Sequence, residues 1–395
     1  MQPFKLLSLP RIPREIIAKQ MEKFDLLNLM LTSKKTLDLT KFNFKADCCR
    51  IYLTKSEFRV EVHFGWSIHL KWSVGTEESD RTDPHLDCRE DVGSIAIGDV
   101  LLERNSKITA MDTMFTVTEP SDRFQVFQQI TDFLFAIFPC ENDFLNIDFN
   151  EIPNSDEFNR WKTVQKTEHV RIDRGTEQQV KDYLDVVERV QILRIDAELP
   201  QGFEHEKLFS PSVNYLVAQT AWISRETFFT LNHRKIYTNS SSFQPADIIE
   251  YIQKWLNGEY SNLEKMYLRF KDGFEEKEFM DAVWPAFEWN YRRPANPLEP
   301  IYFKMDPCEM VDLRWGQYLY RNCDGKMLNI VFTYHHKLYI IVWKGEQPTY
   351  TIPKEEVIYE SIHWKNTPPI KQLVPRIFKS DEDAEREMQL KVEYN

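Results

Sequence analysis

The chain has 395 residues, of which 42% are hydrophobic and 13% aromatic, a composition that excludes global disorder and allows a large buried core. It carries 50 Lys and Arg against 62 Asp and Glu, and the net charge of −12 disfavours a broad electrostatic grip on nucleic acid. Only 11 residues are glycine, which argues against a function built on glycine-rich phosphate loops.

The longest apolar runs predict no membrane association. They cover 133–138 and 338–343 and are far shorter than the roughly 20 residues needed to cross a bilayer. The first residues lack the layout of a secretory signal. The six cysteines are scattered without a C-x-x-C pair, which is typical of a reducing compartment and predicts a cytoplasmic or nuclear protein.

Residues 4–39 predict three short amphipathic helices. Pro10 and Pro13 suit a first helical turn, and Asp25 and Ser33 are suitable N-caps for the second and third helices. Apolar residues at helical spacing follow these starts: Ile12, Ile16, Ile17, Met21, Leu26, Leu27, Met30 and Leu31. Helices this short cannot bury their apolar surface among themselves, so part of it must face the rest of the chain or a partner.

The next segment predicts strands. Residues 49–74 alternate between polar and apolar side chains and predict an antiparallel meander. Residues 76–91 are polar and acidic and predict a loop.

The middle of the chain predicts a repeat of strands and helices. The strand candidates are centred near Ile147, Val170, Leu193, Leu216, Ile236 and Met266. Their spacings of 23, 23, 23, 20 and 30 residues lie close to the period of roughly 20–29 residues in leucine-rich repeats. The clearest helix is predicted over 245–256. The alternative is an ordinary α/β domain with helices on both faces of the sheet, because the asparagine or cysteine of the usual repeat ladder is missing.

In a repeat of this kind the leucine-like positions point towards the helices, and the residues between them line an open, concave face. That face is predicted to carry Asn146, Asp148, Arg171, Arg194, Tyr215, Tyr267 and Arg269. Tyrosine and arginine are enriched at binding hot spots, which favours a target-recognition surface, although a solvated sheet face carries the same residue types. The three arginines are also candidates for an anion-binding row.

The C-terminal part predicts further β structure. Residues 292–300 form a proline-rich connector, and Asp324-Gly325 is a turn signal between two strand-like segments. Residues 379–395 are dense in charge and predict a frayed helix or a disordered tail.

No pattern in the sequence predicts catalysis, a metal or a cofactor. Common nucleotide-binding, hydrolase and metalloprotease motifs are missing, so an unrecognised hydrolase has no support from spacing. Cys48 and Cys49 lack a convergent histidine and favour packed or idle thiols. The best group of metal-ligand types favours a solvated acidic loop and consists of Asp83, His85, Asp87, Cys88 and Asp91.

Several strings together resemble a known family. Residues 9–17 (LPRIPREII) and 24–35 (FDLLNLMLTSKK) resemble an F-box. Further matching strings lie at 221–224, 243–249, 254–258, 262–264 and 320–326. The order and spacing of these strings, over roughly residues 4–345, are similar to the nematode-expanded F-box proteins with a type 2 F-box-associated domain. Two departures are the tight spacing from Glu15 to Asp25 and the missing tryptophan after Lys35.

The resemblance implies a non-enzymatic substrate-recognition subunit of an SCF-type ubiquitin ligase. The F-box would bind the Skp-type adaptor of a cullin-based ligase, and the remainder would recognise a target protein whose identity the sequence leaves open. The implied adaptor contacts are Leu9, Pro10, Ile12, Pro13, Ile16, Ile17, Leu27 and Leu31. The alternative is an interaction scaffold without a ubiquitin-ligase role, whose N-terminal helices pack on its own repeat domain.

The sequence therefore predicts an α/β chain, α+β overall, in five parts. These are a three-helix F-box (1–44), a strand-rich, antiparallel connecting region (45–130), an F-box-associated, leucine-rich-repeat-like strand–helix solenoid (131–290), a C-terminal β extension with a hairpin (291–365) and a charged tail (366–395).

Overall fold

The computed structural model describes residues 10–21, 25–27, 29, 45–55, 57–64, 67–75, 90–97, 100–108, 113–118, 121–140, 143–218, 222–241, 243–270, 276–287, 302–306, 309–312, 317–333 and 337–344. The chain divides into two compact units, Met1–Glu198 (unit 1) and Leu199–Asn395 (unit 2).

Unit 1 begins with helix α1, which spans Arg11–Gln20 and starts directly after Pro10. Its side chains occupy two environments: Ala18 is fully buried, whereas Ile12 and Ile16 are 71% and 52% exposed. Because these two isoleucines are four residues apart, they lie on one side of the helix and form an outward apolar stripe.

The remainder of the predicted three-helix segment is described only in part. Residues 25–27 are helical, and Leu26 and Leu27 are buried. The predicted third helix, from Ser33 onwards, lies outside the described residues.

In the part of unit 1 that the structure describes, nine strands form a sheet. They are β1 (Cys48–Leu53), β2 (Phe58–Phe64), β3 (Ser67–Gly75), β4 (Glu90–Ile97), β5 (Val100–Ile108), β6 (Thr113–Val117), β7 (Asp143–Asp148), β8 (His169–Arg174) and β9 (Ile192–Ile195). Their order is β9-β8-β7-β1-β2-β3-β6-β5-β4. The predicted meander is confirmed, because β1, β2 and β3 pair antiparallel. Strands β4 and β5 were not predicted, and β4 includes residues 90–91 of the predicted loop.

The strands predicted in the first half of the repeat pair in parallel. Strand β7 lies between β1 and β8, and β9 follows on the far side of β8. The leucine-like positions are at most 1% exposed, as predicted: Leu145, Ile147, Val170, Ile172, Leu193 and Ile195.

The further helices in the described part of unit 1 are α2 (Arg123–Ile137), α3 (Ser155–Arg160), α4 (Lys162–Lys166) and α5 (Glu177–Val186). Helix α2 packs against β2 and β3. Its Phe127 contacts Phe58 of β2 with ring centroids 5.7 Å apart. Helix α5 starts with a capping box in which Thr176 and Gln179 bond reciprocally, a sequence signal that fixes where the helix begins.

The main sheet of unit 2 contains β10 (Tyr215–Ala218), β11 (Lys235–Ser241), β12 (Lys265–Phe270), β15 (Gln317–Arg321), β16 (Lys326–Thr333) and β17 (Lys337–Lys344). Its order is β15-β16-β17-β12-β11-β10, and β13 (Tyr302–Asp306) pairs with β14 (Glu309–Asp312) in a separate two-stranded sheet. Strands β10, β11 and β12 are parallel, whereas β12, β17, β16 and β15 alternate in direction.

The helices of unit 2 are α6 (Arg225–Thr230), α7 (Pro245–Leu256) and α8 (Glu276–Val283). Helix α7 matches its prediction: Pro245 lies in the first turn, and Gly258 follows the end with a φ of 98° that favours glycine. Ile248, Tyr251, Ile252 and Trp255 form its buried face.

The end of α7 is joined to the β15–β16 hairpin by Arg321, which is only 1% exposed. Its Nη1 donates to the carbonyl oxygens of Trp255 and Glu259, at 3.1 and 3.2 Å. Its Nε and Nη2 donate to the carboxylate of Asp324, at 2.9 and 2.6 Å. The guanidinium also lies 4.5 Å from the centroid of the Trp255 ring. The buried charge is therefore paired and its donors are used.

The α/β class is confirmed, because helices accompany a mixed sheet in each unit. All six predicted strand centres lie within strands, and the predicted turn at Asp324-Gly325 joins β15 to β16. Among the described helices, none has the length and apolar character required to cross a membrane.

Candidate functional site

In unit 1 the sheet register aligns polar side chains across β7, β8 and β9. Asn146 pairs with Arg171, and Arg171 pairs with Arg194. These residues alternate with the buried leucine-like positions, so they lie on the opposite side of the sheet. We call Asn146, Arg171, Asp173, Arg194 and Asp196 the ion-pair face.

The two arginines of the ion-pair face share one carboxylate. Arg171 donates from Nε to Oδ2 of Asp196 at 3.0 Å, and Arg194 donates from Nε to Oδ1 of the same residue at 2.9 Å. The Arg171 Nε also lies 2.7 Å from Oδ1 of Asp173. Two guanidinium groups are thus paired with two carboxylates, and the anion-binding row of Arg171, Arg194 and Arg269 stays a prediction.

Two other predicted members of the open face are buried. Asn146 is 7% and Asp148 4% exposed. Asp148 Oδ1 accepts a hydrogen bond of 3.0 Å from the backbone N–H of Asn150 and so caps a short 3-10 helix, Phe149–Glu151. The prediction that both residues line an open surface is therefore corrected: Asp148 has a local structural role.

The corresponding side of the unit 2 sheet is aromatic. Register places Tyr237 of β11 beside Tyr267 of β12, and Tyr267 beside Tyr339 of β17. The rings of Tyr237 and Tyr267 stack with centroids 4.0 Å apart at 16°, and those of Tyr267 and Tyr339 meet edge to face at 5.1 Å. We call Tyr215, Tyr237, Tyr267 and Tyr339 the tyrosine face.

Burial along the tyrosine face is uneven. Tyr267 is 1% exposed and belongs to a hydrophobic cluster with Tyr339 and Trp343, which corrects the prediction that it lies on an open surface. Tyr215 is half-buried, and Arg269 is exposed and lies opposite Lys337 in the register.

Two lysines lie side by side next to the tyrosine face. Lys235 and Lys265 are partners in the β11–β12 register, and the Lys235 Nζ lies 5.7 Å from the centroid of the Tyr215 ring. Burial, and then the charge of Lys235, lowers the pKa of Lys265 to about 8. Near neutral pH this part of the surface therefore carries a lysine that loses its proton more easily than an ordinary one.

The seven predicted face residues thus fall into two groups. Asn146, Asp148, Arg171 and Arg194 belong to unit 1, and Tyr215, Tyr267 and Arg269 belong to unit 2. Sequence reasoning missed Asp173 and Asp196, which neutralise the arginines. It also missed Tyr237, which stacks on Tyr267, and Tyr339, which contacts Tyr267 edge to face. Tyr237 had a usable signal, because it lies one residue after the predicted strand centre Ile236, as Tyr267 does after Met266.

The predicted adaptor contacts differ in exposure. Pro10, Ile12 and Ile16 are exposed, and Ile17 is half-buried. Leu27 is 1% exposed, so its side chain packs within its own chain, contrary to the predicted outward contact. Leu9 and Leu31 lie outside the described residues, as does the side chain of Pro13.

Of the residues in the predicted solvated acidic loop, Asp83, His85, Asp87 and Cys88 lie outside the described residues, and the side chain of Asp91 does too. Within the described part of the chain, a different group has potential metal-ligand atoms close together. It consists of Cys49, Cys140 and Asp143.

Comparison with known proteins bears on unit 2. Residues 204–268 match a protein-family model described as F-box associated. This stretch of the chain is therefore similar to an F-box-associated domain. The resemblance predicted from the sequence is confirmed on this stretch, which contains Tyr215, Tyr237 and Tyr267 of the tyrosine face.

The matched stretch runs from just before the 3-10 helix Glu206–Phe209 through β10, α6, β11 and α7 into β12. An uncharacterized protein of Caenorhabditis elegans, F59B2.9, is 25% identical over 360 residues, which are 86% of this chain and 79% of that relative. No solved structure matches the chain.

Proposed function

We propose that the protein is a substrate-recognition subunit of an SCF-type ubiquitin ligase, which bridges a Skp-type adaptor to a target protein. The observation that carries this proposal is the F-box-associated domain at 204–268, a domain type described by its association with F-boxes. Under this proposal the N-terminal segment is a three-helix F-box, and the strand–helix region is a leucine-rich-repeat-like recognition domain.

The exposed stripe on α1 supports adaptor binding. Ile12 and Ile16 present apolar side chains to solvent on one side of a helix, whereas Ala18 of the same helix is buried. An amphipathic helix that leaves large aliphatic groups outside suits docking into a hydrophobic groove of another protein.

We propose that the chain has no catalytic activity and that its role is to hold the target protein close to the ligase. Holding a target next to the ligase raises the effective concentration of target lysines near the loaded conjugating enzyme. This function suits a protein of the cytoplasm or nucleus, where ubiquitin ligases of this type work.

We assign target recognition to the half-buried part of the tyrosine face, Tyr215 and Tyr237, since Tyr267 and Tyr339 are buried. Tyrosines offer a large contact area at low entropic cost, and Arg269 and Lys235 add charge at the border of this face. The ion-pair face is the weaker candidate, because a partner would have to replace ion pairs that are already satisfied.

Co-purification with a Skp-type adaptor tests the proposal. The double variant Ile12→Asp/Ile16→Asp is expected to weaken adaptor affinity by about 2 kcal/mol or more, roughly thirtyfold, which is the scale of interface hot spots. The matched control is Gln20→Asp, which adds a negative charge at another exposed position of α1 and should leave binding unchanged.

A chain starting at Lys45 should lose the adaptor and keep target binding. Equal recovery of adaptor by the intact and the shortened chain would refute the ligase-subunit proposal.

The alternative, an interaction scaffold without a ligase role, is favoured by the burial of Leu26 and Leu27 within their own chain. It predicts that removing residues 1–44 exposes apolar surface and causes aggregation. A soluble, monodisperse remainder, measured by light scattering, would exclude the scaffold alternative.

A further inference from the structure

Three potential metal ligands converge where β1 meets β7. Cys49 belongs to β1, Asp143 is the first residue of β7, and the two are direct partners in the parallel register. Cys140 lies before β7, and its backbone forms an isolated parallel β-bridge with that of Ala46, just before β1. The two sulfur atoms and a carboxylate oxygen of Asp143 all lie within 4.8 Å of one another.

The surroundings of this group combine burial with one open side. Cys49 is fully buried and donates from Sγ to the carbonyl oxygen of Phe138 at 3.8 Å. Cys140 and Asp143 are half-buried, and the Cys140 thiol donates a hydrogen bond to Asp143 Oδ1. Solvent, and with it an ion, can therefore reach Cys140 and Asp143, while Cys49 is enclosed by the protein.

The electrostatics favour a bound cation. The Cys140 thiol is hydrogen-bonded to the Asp143 carboxylate, and the Cys49 sulfur lies within 4.8 Å of both, so three electron-rich ligand atoms share one small space. Helix α2 also ends at this point, with Phe138 as its C-cap and no basic residue in its last turn. The negative end of the helix dipole thus faces the same group.

We propose that Cys49, Cys140 and Asp143 bind one divalent ion of the zinc class. Two thiolates and one carboxylate form a donor set that suits Zn²⁺, whereas Mg²⁺ and Ca²⁺ prefer oxygen ligands alone. When the ion binds, the two thiols each release a proton to solvent and the sulfurs become thiolate ligands. A fourth position is left for water.

The bound ion would fasten together parts of unit 1 that are distant in sequence. Cys49 lies 89 residues before Phe138, which ends α2 just ahead of the ligand Cys140. The ion would therefore hold β1 beside the start of β7. Because an ion that binds only the folded state shifts the folding equilibrium, the expected role is structural stabilisation. The inference is independent of adaptor and target binding.

Titration of the full chain with Co²⁺ tests the site. Protein purified under reducing conditions should bind one Co²⁺ per chain, develop thiolate-to-cobalt absorption, and lose it when Zn²⁺ is added. The variants Cys49→Ser, Cys140→Ser and Asp143→Asn should each weaken binding by more than about tenfold. Zn²⁺ should also raise the melting temperature of the wild type.

Two cysteines provide matched controls. Cys48 is adjacent to Cys49 but points to the other side of β1, and Cys323 is exposed in unit 2. Cys48→Ser and Cys323→Ser should therefore bind Co²⁺ like the wild type. If Cys49→Ser fails to fold, the half-buried positions Cys140 and Asp143 still decide the question.

Three outcomes would overturn the proposal. One is the absence of thiolate-to-cobalt absorption at stoichiometric ion. Another is binding that survives both Cys140→Ser and Asp143→Asn. The third is a disulfide between Cys49 and Cys140 in the reduced preparation, detected by a peptide mass two hydrogens lighter, since both sulfurs would then be consumed.

Discussion

Both units contain neighbouring parallel strands but place their charged side chains differently. In unit 1, Arg171 and Arg194 lie on the outer side of β8 and β9 and share the carboxylate of Asp196. In unit 2, the equivalent side of the strands carries stacked tyrosines, and Arg321 is buried against the end of α7. The ion-pair face of unit 1 neutralises its charges near the surface, whereas Arg321 of unit 2 is a buried charge that joins two elements.

This difference indicates which side chains of each unit contribute most to its stability and which are available for binding. Partly exposed ion pairs contribute little free energy, because water competes for both partners. A buried, fully bonded guanidinium and a buried aromatic stack contribute much more when one member is removed. The four predictions below test this contrast, beginning with the largest expected effect.

Replacing Arg321 by Ala is expected to lower the free energy of unfolding by about 4 kcal/mol, since it leaves the Trp255 and Glu259 carbonyls and the Asp324 carboxylate without their donor. Urea denaturation measures the change. The control is Arg234→Ala, which removes an exposed arginine paired with Glu264 at 2.6 Å and should cost less than about 1 kcal/mol. Equal losses of unfolding free energy in the two variants would contradict the expected difference between a buried and an exposed arginine.

Tyr267→Ala should cost about 3 kcal/mol, because it removes a buried ring that stacks on Tyr237 and contacts Tyr339. Tyr320→Ala is the control, since Tyr320 is 49% exposed, and its loss should stay within about 0.5 kcal/mol. Thermal unfolding of both variants compares them. A small loss for Tyr267 would mean that the cluster repacks.

The Arg321–Asp324 pair predicts an acid-sensitive hairpin. Hydrogen bonds from Arg321 lower the pKa of Asp324 from 3.8 to about 2. A carboxyl with a depressed pKa in the folded state contributes stability above its unfolded pKa and loses it as the pH falls through the folded one. Asp324→Asn should therefore be less stable than the wild type by about 1–2 kcal/mol near neutral pH.

That difference should shrink as the pH drops from about 4 to about 2. Unfolding measured at a series of pH values in this window checks it. A difference that stays constant down to the lowest pH would show that Asp324 acts through something other than its charge.

The smallest effect is expected in the ion-pair face. Asp196→Asn removes the shared carboxylate of Arg171 and Arg194 and should cost about 1 kcal/mol or less, with a difference that declines at high salt. Glu188→Gln, at an exposed position of unit 1, is the control and should show no change. A loss above about 2 kcal/mol would place the ion-pair face among the stabilising elements of the fold.

Hydrophobic spacing was enough to locate the six central strands, the β1–β3 meander and α7. Each of these elements buries one side, and burial imposes a periodic pattern that survives in the sequence. Pro245 and Gly258 also marked the start and the end of α7, because the conformational preference of each residue acts locally.

The neighbours of each strand in the sheet could not be predicted from the alternation of apolar residues. Alternation indicated that Tyr267 points away from the helices, but the stacking of Tyr237 and Tyr339 that buries it depends on the register with β11 and β17. Asp196 follows the last residue of β9 and lies outside the apolar pattern, so its pairing with Arg171 had no sequence signal.

Non-local pairing explains the remaining omissions. Cys49 gave no indication of a ligand partner, because Cys140 and Asp143 approach it only through the parallel pairing of β1 with β7. Likewise, α1 was predicted from its spacing, but the burial of Leu27 depends on how the chain folds back on itself.

The pairing of β1 with β7 also has a consequence for synthesis of the protein on the ribosome. β2 emerges a few residues after β1, but β7 is complete only about 95 residues later. At about 5–20 residues per second, one edge of β1 waits roughly 5–20 s for its neighbour. During that interval a strand containing Ile51 and Leu53 offers unpaired backbone groups to other nascent chains, so chaperone capture is expected to matter most at this stage of translation.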